Sequence, residues 1–247
     1  MDSKLENHQG PLLASLERRL FLRQGLSLGA LSLLSGCALT DDDSVQKVLT
    51  AMSRWNDGVQ AKIFSAQRLA PEFAENRITR PFPFNAFYGE DEAPLVDAGD
   101  YKLEVGGMVR EKKAWSLPEL YALPQVSQVT RHICVEGWSA IGKWSGPRFS
   151  DFLRRVGADT TARYVGFKCA DKYYGSVDMA TALHPQTIMA FRYADQVLPV
   201  KYGFPWKLRV PTKLGFKNPK HIVAMFVTND NPGGYWEDQG YNWFSGS

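Results

Sequence analysis

From residue 101 onward the apolar runs are all short. Residues 101–105 alternate, 126–134 are partly β-branched, and 163–168, 187–193, 206–210 and 221–228 are apolar stretches of strand length. Helical spacing fits only residues 117–123 and 150–156, with a turn at 178–183. No βαβ alternation, internal repeat or low-complexity tract is present, so a doubly wound parallel sheet and a solenoid are both poor descriptions. The pattern predicts one mixed α+β domain with short strands and few helices. Ahead of it, Val45, Val48, Leu49, Met52, Trp55 and Val59 fall at three- and four-residue intervals, which predicts a helix over 44–64. Prolines 71, 81, 83 and 94 then punctuate an extended, irregular segment.

Composition narrows the function classes. At 247 residues the chain can bury one sizeable core, or two small ones. A charged fraction of 22% argues against both a disordered chain and a multi-pass membrane protein. The net charge of +3 gives no reason to expect a nucleic acid partner. Three cysteines are too few for a disulfide framework or a four-thiolate zinc site.

The first 36 residues are a leader rather than part of the fold. Arg18-Arg19-Leu20-Phe21-Leu22 precedes a mild apolar run of about a dozen residues, too short for a spanning helix, which needs about 20. That is the pattern of a twin-arginine export signal. Leu34-Ser35-Gly36-Cys37 then looks like a bacterial lipobox, with Cys37 as the lipidated first residue of the mature chain. The twin-arginine route carries proteins already folded, which raises the expectation of a complex redox cofactor inserted before export. The expected organisation is leader 1–36, acidic spacer and helical segment 37–80, and main domain 81–247.

Cys134 and Cys169 remain in the mature chain, 35 residues apart, so no Cys-x-x-Cys and no haem-attachment motif occurs. His132, His184 and His221 form no helix-spaced zinc pair, and no glycine-rich nucleotide loop or Gly-x-Ser-x-Gly elbow appears. Arg131-His132-Ile133-Cys134-Val135-Glu136-Gly137-Trp138-Ser139 does stand out. A cysteine ending an apolar strand is usually a small core residue. One that runs into Glu, Gly, Trp and Ser also suits a cleft, where a thiolate binds a soft or high-valent metal. Between 196 and 229 lie six basic residues (Lys201, Lys207, Arg209, Lys213, Lys217, Lys220) and no acid. Such a run suits a buried phosphate, edge-strand protection or an anionic lipid face equally well.

The sequence Cys134-Val135-Glu136-Gly137-Trp138-Ser139 resembles the cysteine loop of the sulfite-oxidase-fold molybdenum enzymes, especially their periplasmic methionine-sulfoxide-reductase branch. The resemblance runs from about residue 83 to 241. It implies a sulfite-oxidase-type molybdopterin-binding domain in which Cys134 binds molybdenum beside a single, mononucleotide-free pterin. Asn85, Tyr88 and Gly89 match the segment that holds the pterin in the reductase branch. Tyr202 stands where the family has His or Asn, and Lys207 where it has Arg. A lysine there keeps the charge but lacks the guanidinium fork. Asn218, Pro219 and Lys220 match the phosphate loop after Gly215-Phe216-Lys217. Cys169 falls where the branch has a pterin-contacting Thr, or is a core thiol. Tyr241, five residues after Trp236, matches a tyrosine that projects toward the metal, or is surface decoration. Glu136 is placed near the substrate only by lying two residues after the ligand.

The resemblance implies two-electron oxygen-atom transfer to or from a small-molecule oxo substrate. Sulfite-oxidising members have an anion-pocket arginine where this chain has Phe84, which favours reduction of S- or N-oxides such as methionine sulfoxide. Sulfite oxidation with cytochrome c as acceptor is the alternative, and a metal-free lipoprotein binding module on the same fold is another. The expected electron partner is a separate haem protein, either a membrane b-type or a soluble c-type cytochrome. Without the family's dimerisation domain after residue 247, the expected state is a monomer, periplasmic and anchored through Cys37.

Overall fold

A computed structural model describes residues 43–246 except 64, 66 and 67. The leader and Cys37 lie outside the described residues. The chain divides into two compact units, Met1–Ser53 and Arg54–Ser247. Helix α1 (Asp43–Ile63) begins in the first and ends in the second, close to the expected 44–64. Along it Val48, Leu49 and Met52 are exposed and Trp55 is 73% exposed. Polar groups tie its last turns to the C-terminal tail, where the Phe244 N–H donates to Asp57 Oδ1 at 2.8 Å. Among the described residues no helix is long and apolar enough to cross a membrane.

Among the described residues the larger unit has eleven strands: β1 (Lys102–Gly107), β2 (Ala114–Ser116), β3 (Val126–Ile133), β4 (Ser139–Gly146), β5 (Tyr164–Cys169), β6 (Tyr174–Asp178), β7 (Ile188–Ala190), β8 (Arg192–Tyr193), β9 (Gln196–Val197), β10 (Lys207–Arg209) and β11 (Ile222–Thr228). Three further short helices are α2 (Leu117–Tyr121), α3 (Phe149–Arg155) and α4 (Met179–Ala182). A five-stranded sheet has the order β2-β1-β11-β5-β6, a four-stranded sheet the order β3-β4-β8-β9, and β10 pairs with β7. Strands β1 and β11 pair in parallel, with Glu104 opposite Ala224, so the first and last strands named close on each other. This is the mixed α+β arrangement the short runs predict.

Burial follows the strand period. In β1, Leu103 and Val105 point inward while Lys102 and Glu104 face out. They join Trp115, Phe149, Phe152, Leu153, Val165, Phe167, Met225 and Val227 in the main core. Each such side chain, fully buried, stabilises the fold by roughly 1.5–3 kcal/mol. Helix α2 starts from a reciprocal cap in which Ser116 N–H and Oγ–H both donate to Glu119 Oε2, at 2.8 and 2.7 Å. A second, smaller cluster gathers Phe82, Trp144, Ile188, Leu198 and Tyr202. Its rings meet edge-on, as Phe82 and Trp144 do at 5.3 Å and 86°.

Strand β4 was not legible in the pattern. Ser-Ala-Ile-Gly-Lys-Trp-Ser-Gly lacks the β-branched enrichment of a strand, yet all eight residues pair with β3. Context overrides propensity here because the strand is crowded on its other side. A Cβ on Gly146 would sit 1.7 Å from the Met189 carbonyl oxygen, so only glycine lets β4 approach β7. Gly146→Ala should therefore destabilise the domain by on the order of 3 kcal/mol. Thermal unfolding should register a Tm lower by about 10 °C.

Candidate active site

The β3–β4 turn is the five-residue loop 134–138. Cys134 N–H donates to Trp138 O at 2.9 Å and Gly137 N–H to Cys134 O at 3.2 Å, with Gly137 at φ 92°. A left-handed residue is needed there to bring the chain straight back, and glycine takes it without strain. The turn lifts Cys134 to the edge of a cleft of about 210 Å³. Asn85, Glu136, Asn218, Pro219, Lys220 and Tyr241 line the same cleft. Seven residues scattered over more than 150 positions, each singled out from sequence, are thus brought together.

The remaining candidates sit around that cleft rather than on it. The Tyr88 hydroxyl donates to Asp171 Oδ2 at 2.9 Å, and Asp171 is a lining residue. Cys169 is buried next to Asp171 and Lys220, and burial followed by the Asp171 charge pushes its thiol well up, which marks an inert core thiol. Tyr202 lies in the aromatic cluster, its hydroxyl donating to Phe82 O at 2.8 Å. Gly89 is exposed and starts a short 3₁₀ turn, with its N–H bonded to Glu92. Lys207 is 2% exposed on β10, with its ammonium 4.8 Å from the Trp144 ring.

At the mouth, the Cys134 thiol donates to Glu136 Oε2 at 3.5 Å, and Trp138 Nε1 donates to the same oxygen at 3.0 Å. Burial, together with the neighbouring carboxylate, holds the thiol above its ordinary range. A metal ion would reverse that, since coordination deprotonates a thiol outright. The wall opposite is aromatic. Tyr241, 40% exposed, meets Trp236 at 5.2 Å and Phe216 at 5.9 Å between ring centres. Phe84 and Phe87 complete the rim.

Behind the mouth lies an unusual concentration of buried positive charge. Lys207 has neither an ion pair nor a hydrogen bond among the described residues, and Arg209 is fully buried two positions along the same strand. Arg209 donates to Asn218 Oδ1, Thr130 Oγ1 and Arg131 O, while its Nε has no partner. Burial lowers its guanidinium to about 9 and the Lys220 ammonium to about 8. Lys207 is driven well down by burial and then by the charges of Lys220 and Arg209. His132 is kept neutral by burial and the same three cations. Its Nε2 faces Asn85 Nδ2 at 3.3 Å. With the amide donating, the ring proton sits on Nδ1, which is buried without a partner.

Buried cations and orphaned donors on this scale are costly unless an anion meets them. A donor set of ammonium, guanidinium and imidazole N–H beside one thiolate fits a phosphate-bearing pterin that supplies its own sulfur ligands to a metal. Among the described residues no three His, Cys, Asp or Glu side chains converge on a metal position, in keeping with a single protein thiolate. The residues present therefore fit molybdopterin.

Comparison with known proteins decides the family. Residues 90–236 match the model of the oxidoreductase molybdopterin binding domain. The chain belongs to this family. It is a molybdopterin oxidoreductase on the sulfite-oxidase-type fold. It is 66% identical over 230 residues to the "Putative protein-methionine-sulfoxide reductase subunit YedZ1" of Azospira oryzae, covering 93% of this chain and 88% of that protein. The protein-methionine-sulfoxide reductase catalytic subunit MsrP of Ralstonia nicotianae is 32% identical over 67% of this chain and 59% of its own length. That of Xanthomonas axonopodis pv. citri is 28% identical over 83% and 68%. The sulfane dehydrogenase SoxCD of Paracoccus pantotrophus shares the fold at a TM-score of 0.52, with 17% identity over 56% of this chain and 40% of that one.

Sequence reasoning missed His132, Asp171, Tyr173 and the role of Arg209. His132 had a usable signal, since it lies near the end of β3, two residues before Cys134. Arg209 stood in the basic stretch, but nothing local showed that its guanidinium braces the 218 loop. Asn218 likewise spends its side chain within the loop, accepting from Val210 N–H at 2.7 Å and donating to Leu214 O.

The lysines carry a pH signature. Lys207 and Lys220 bind protons less readily folded than unfolded, so the cofactor-free chain should gain stability as pH rises from about 8 toward the ordinary lysine range near 10.5. Below that window the penalty is fully present. Thermal unfolding at pH 7 and 9 should show a higher Tm at pH 9 for cofactor-free protein. A flatter profile is expected once the cofactor's phosphate compensates the charges.

Proposed function

We propose that the chain reduces S- or N-oxides, methionine sulfoxide among them, by two-electron oxygen-atom transfer. In balanced form a sulfoxide, two electrons and two protons give a sulfide and water. The observation that carries the reading is the charge of the cleft that Cys134 opens into. Its lining holds two carboxylates, Glu136 and Asp171, against one ammonium, Lys220. Such a mouth suits a neutral oxide and repels a dianion such as sulfite. Phe84, rather than a cation, occupies the rim. The relatives named above as methionine-sulfoxide reductase subunits support the same direction.

Bound in the cleft, the molybdenum group supplies the two-electron redox chemistry and the oxygen-atom exchange. Cys134 would ligate the metal, with its cleft-edge position set by the β3–β4 turn. Asn85 and Lys220 would hold the pterin from the lining, Lys207 and Arg209 would neutralise its phosphate from behind, and the neutral His132 would offer its Nδ1–H as a hydrogen-bond donor. The Asn85 carbonyl accepts from Lys220 Nζ at 2.7 Å, so these two are already locked together. Tyr88 acts through Asp171. Tyr202 would shape the cluster that packs against Lys207 rather than touch the cofactor. Glu136, held by Trp138, and Tyr241 would face the substrate. The aromatic wall favours a thioether-like group, which packs well against rings.

The cofactor is proposed as a single mononucleotide-free pterin, and the electron donor as a separate haem protein, for this sequence carries no haem-attachment motif. Export by the twin-arginine route and acylation of Cys37 would place the enzyme in the periplasm at a membrane surface.

Purified holoprotein should oxidise reduced viologen when given methionine sulfoxide. Cytochrome c reduction by sulfite, without sulfoxide-dependent viologen oxidation, would reverse the direction. Cys134→Ala should stay folded by circular dichroism and lose at least about 10³-fold in kcat/KM. Turnover near the unsubstituted level would remove Cys134 from the metal.

A further inference from the structure

One buried ion pair lies beside the cleft without lining it. Lys217, 3% exposed, follows Gly215 and Phe216, which form part of the cleft floor. Its Nζ is not directed at the Lys207–Arg209–His132 group. It meets Glu237 Oε1 at 2.5 Å and lies 4.7 Å from the Trp243 ring. Glu237 stands in the 3₁₀ turn Glu237–Gln239, between the two wall residues Trp236 and Tyr241. Left-handed Gly240 closes that turn, and Tyr241 N–H donates to Trp236 O at 3.1 Å. The floor is fixed separately, by Tyr173 Oη–H donating to Phe216 O at 2.7 Å. Across the gap, Phe216 and Tyr241 touch edge to face.

We propose that Lys217 and Glu237 are positioning residues that clamp the Trp236–Tyr241 wall onto the Gly215–Phe216 floor, and so set how tightly substrate is held. The proposal deepens the oxide-reductase reading and rests on it for the identity of the substrate, but not for the clamp itself. A loop as short as 236–241 has little core of its own: Trp236 and Tyr241 are partly open to solvent. The buried charge pair adds a fixed point to the loop, whose other holds are the exposed hydrogen bond from Tyr174 Oη–H to Asp238 and the packing of Trp236 on the main core. Breaking one side leaves a bare buried charge, whereas removing both charges leaves similar volume and is tolerated far better. The lysine of the Gly215-Phe216-Lys217 segment is thereby assigned to the substrate side of the cleft, not to the cofactor phosphate.

The test uses the holoenzyme with both charges removed, Lys217→Met/Glu237→Gln, and a milder variant, Glu237→Asp, which keeps both charges and shortens the reach. Three quantities are read: molybdenum per chain, amide hydrogen exchange, and kcat and KM for methionine sulfoxide with reduced viologen. The expected result for the double variant is unchanged molybdenum content and exchange over 236–241 faster by about tenfold, with β1 and β11 unaffected. KM should rise by about tenfold with kcat changed less than about twofold. Glu237→Asp should move exchange and KM the same way by a smaller factor. Loss of molybdenum from a folded double variant would make Lys217 a cofactor ligand and overturn the proposal. Unchanged exchange and KM in both variants would overturn it equally. Faster exchange in an enzyme that reduces no sulfoxide, with or without the substitutions, would uphold the clamp and remove the reductase reading.

Discussion

Positive charge is buried in this domain without protein anions to match it, and much of the site is arranged around that fact. Lys207 and Arg209 stand on one face of β10, with His132 and Lys220 around them. Arg209 links β10 to β3, through Thr130 and the Arg131 carbonyl, and with the Val210 N–H it holds the 218 loop through Asn218. The strand that runs into Cys134 and the 218 loop thus share one guanidinium. Desolvating such a group is expensive, and the orphaned Arg209 Nε and His132 Nδ1 add to the cost. A bound phosphate repays these costs, so folding and cofactor binding stabilise each other.

The mouth of the cleft follows a different rule. Its carboxylates are anchored by neutral donors: Glu136 by the Trp138 indole, and Asp171 by the Tyr88 hydroxyl and the Tyr173 N–H. Its far wall is built from aromatic rings held by the Lys217–Glu237 pair. Two carboxylates and Lys220 therefore line the cleft of about 210 Å³, while Lys207 and Arg209 lie buried behind it. A gradient of that sign holds an anionic cofactor inward while leaving the entrance open to neutral oxides.

Much of this was legible residue by residue. Period-two alternation located β1, β-branched and apolar runs of strand length located β3, β5 and β11, and three- and four-residue spacing located α1, because those patterns are local. The cysteine loop was legible because glycine at 137 and a polar run after an apolar strand mark a turn with a purpose. Strand β4 was not, since its glycines serve close packing against β7 rather than any local propensity. Tyr202 and Gly89 were picked from family position, yet they lie off the cleft. Tyr202 is drawn into the aromatic cluster by Phe82, Trp144 and Tyr193, a preference no single-residue match can register.

By itself the sequence determined the class of fold, the turn that follows Cys134, and the presence of an acid-free basic stretch, because each depends on residue type and short-range spacing. Only tertiary structure decided what each cation in that stretch is for. Lys207, Arg209 and Lys220 turn toward the cofactor side, whereas Lys217 turns to Glu237. Charge in a sequence has sign and position but no direction. Direction comes from which carboxylates, rings and carbonyls the folded chain brings within a few ångströms, and that is a property of contacts between residues far apart in the chain.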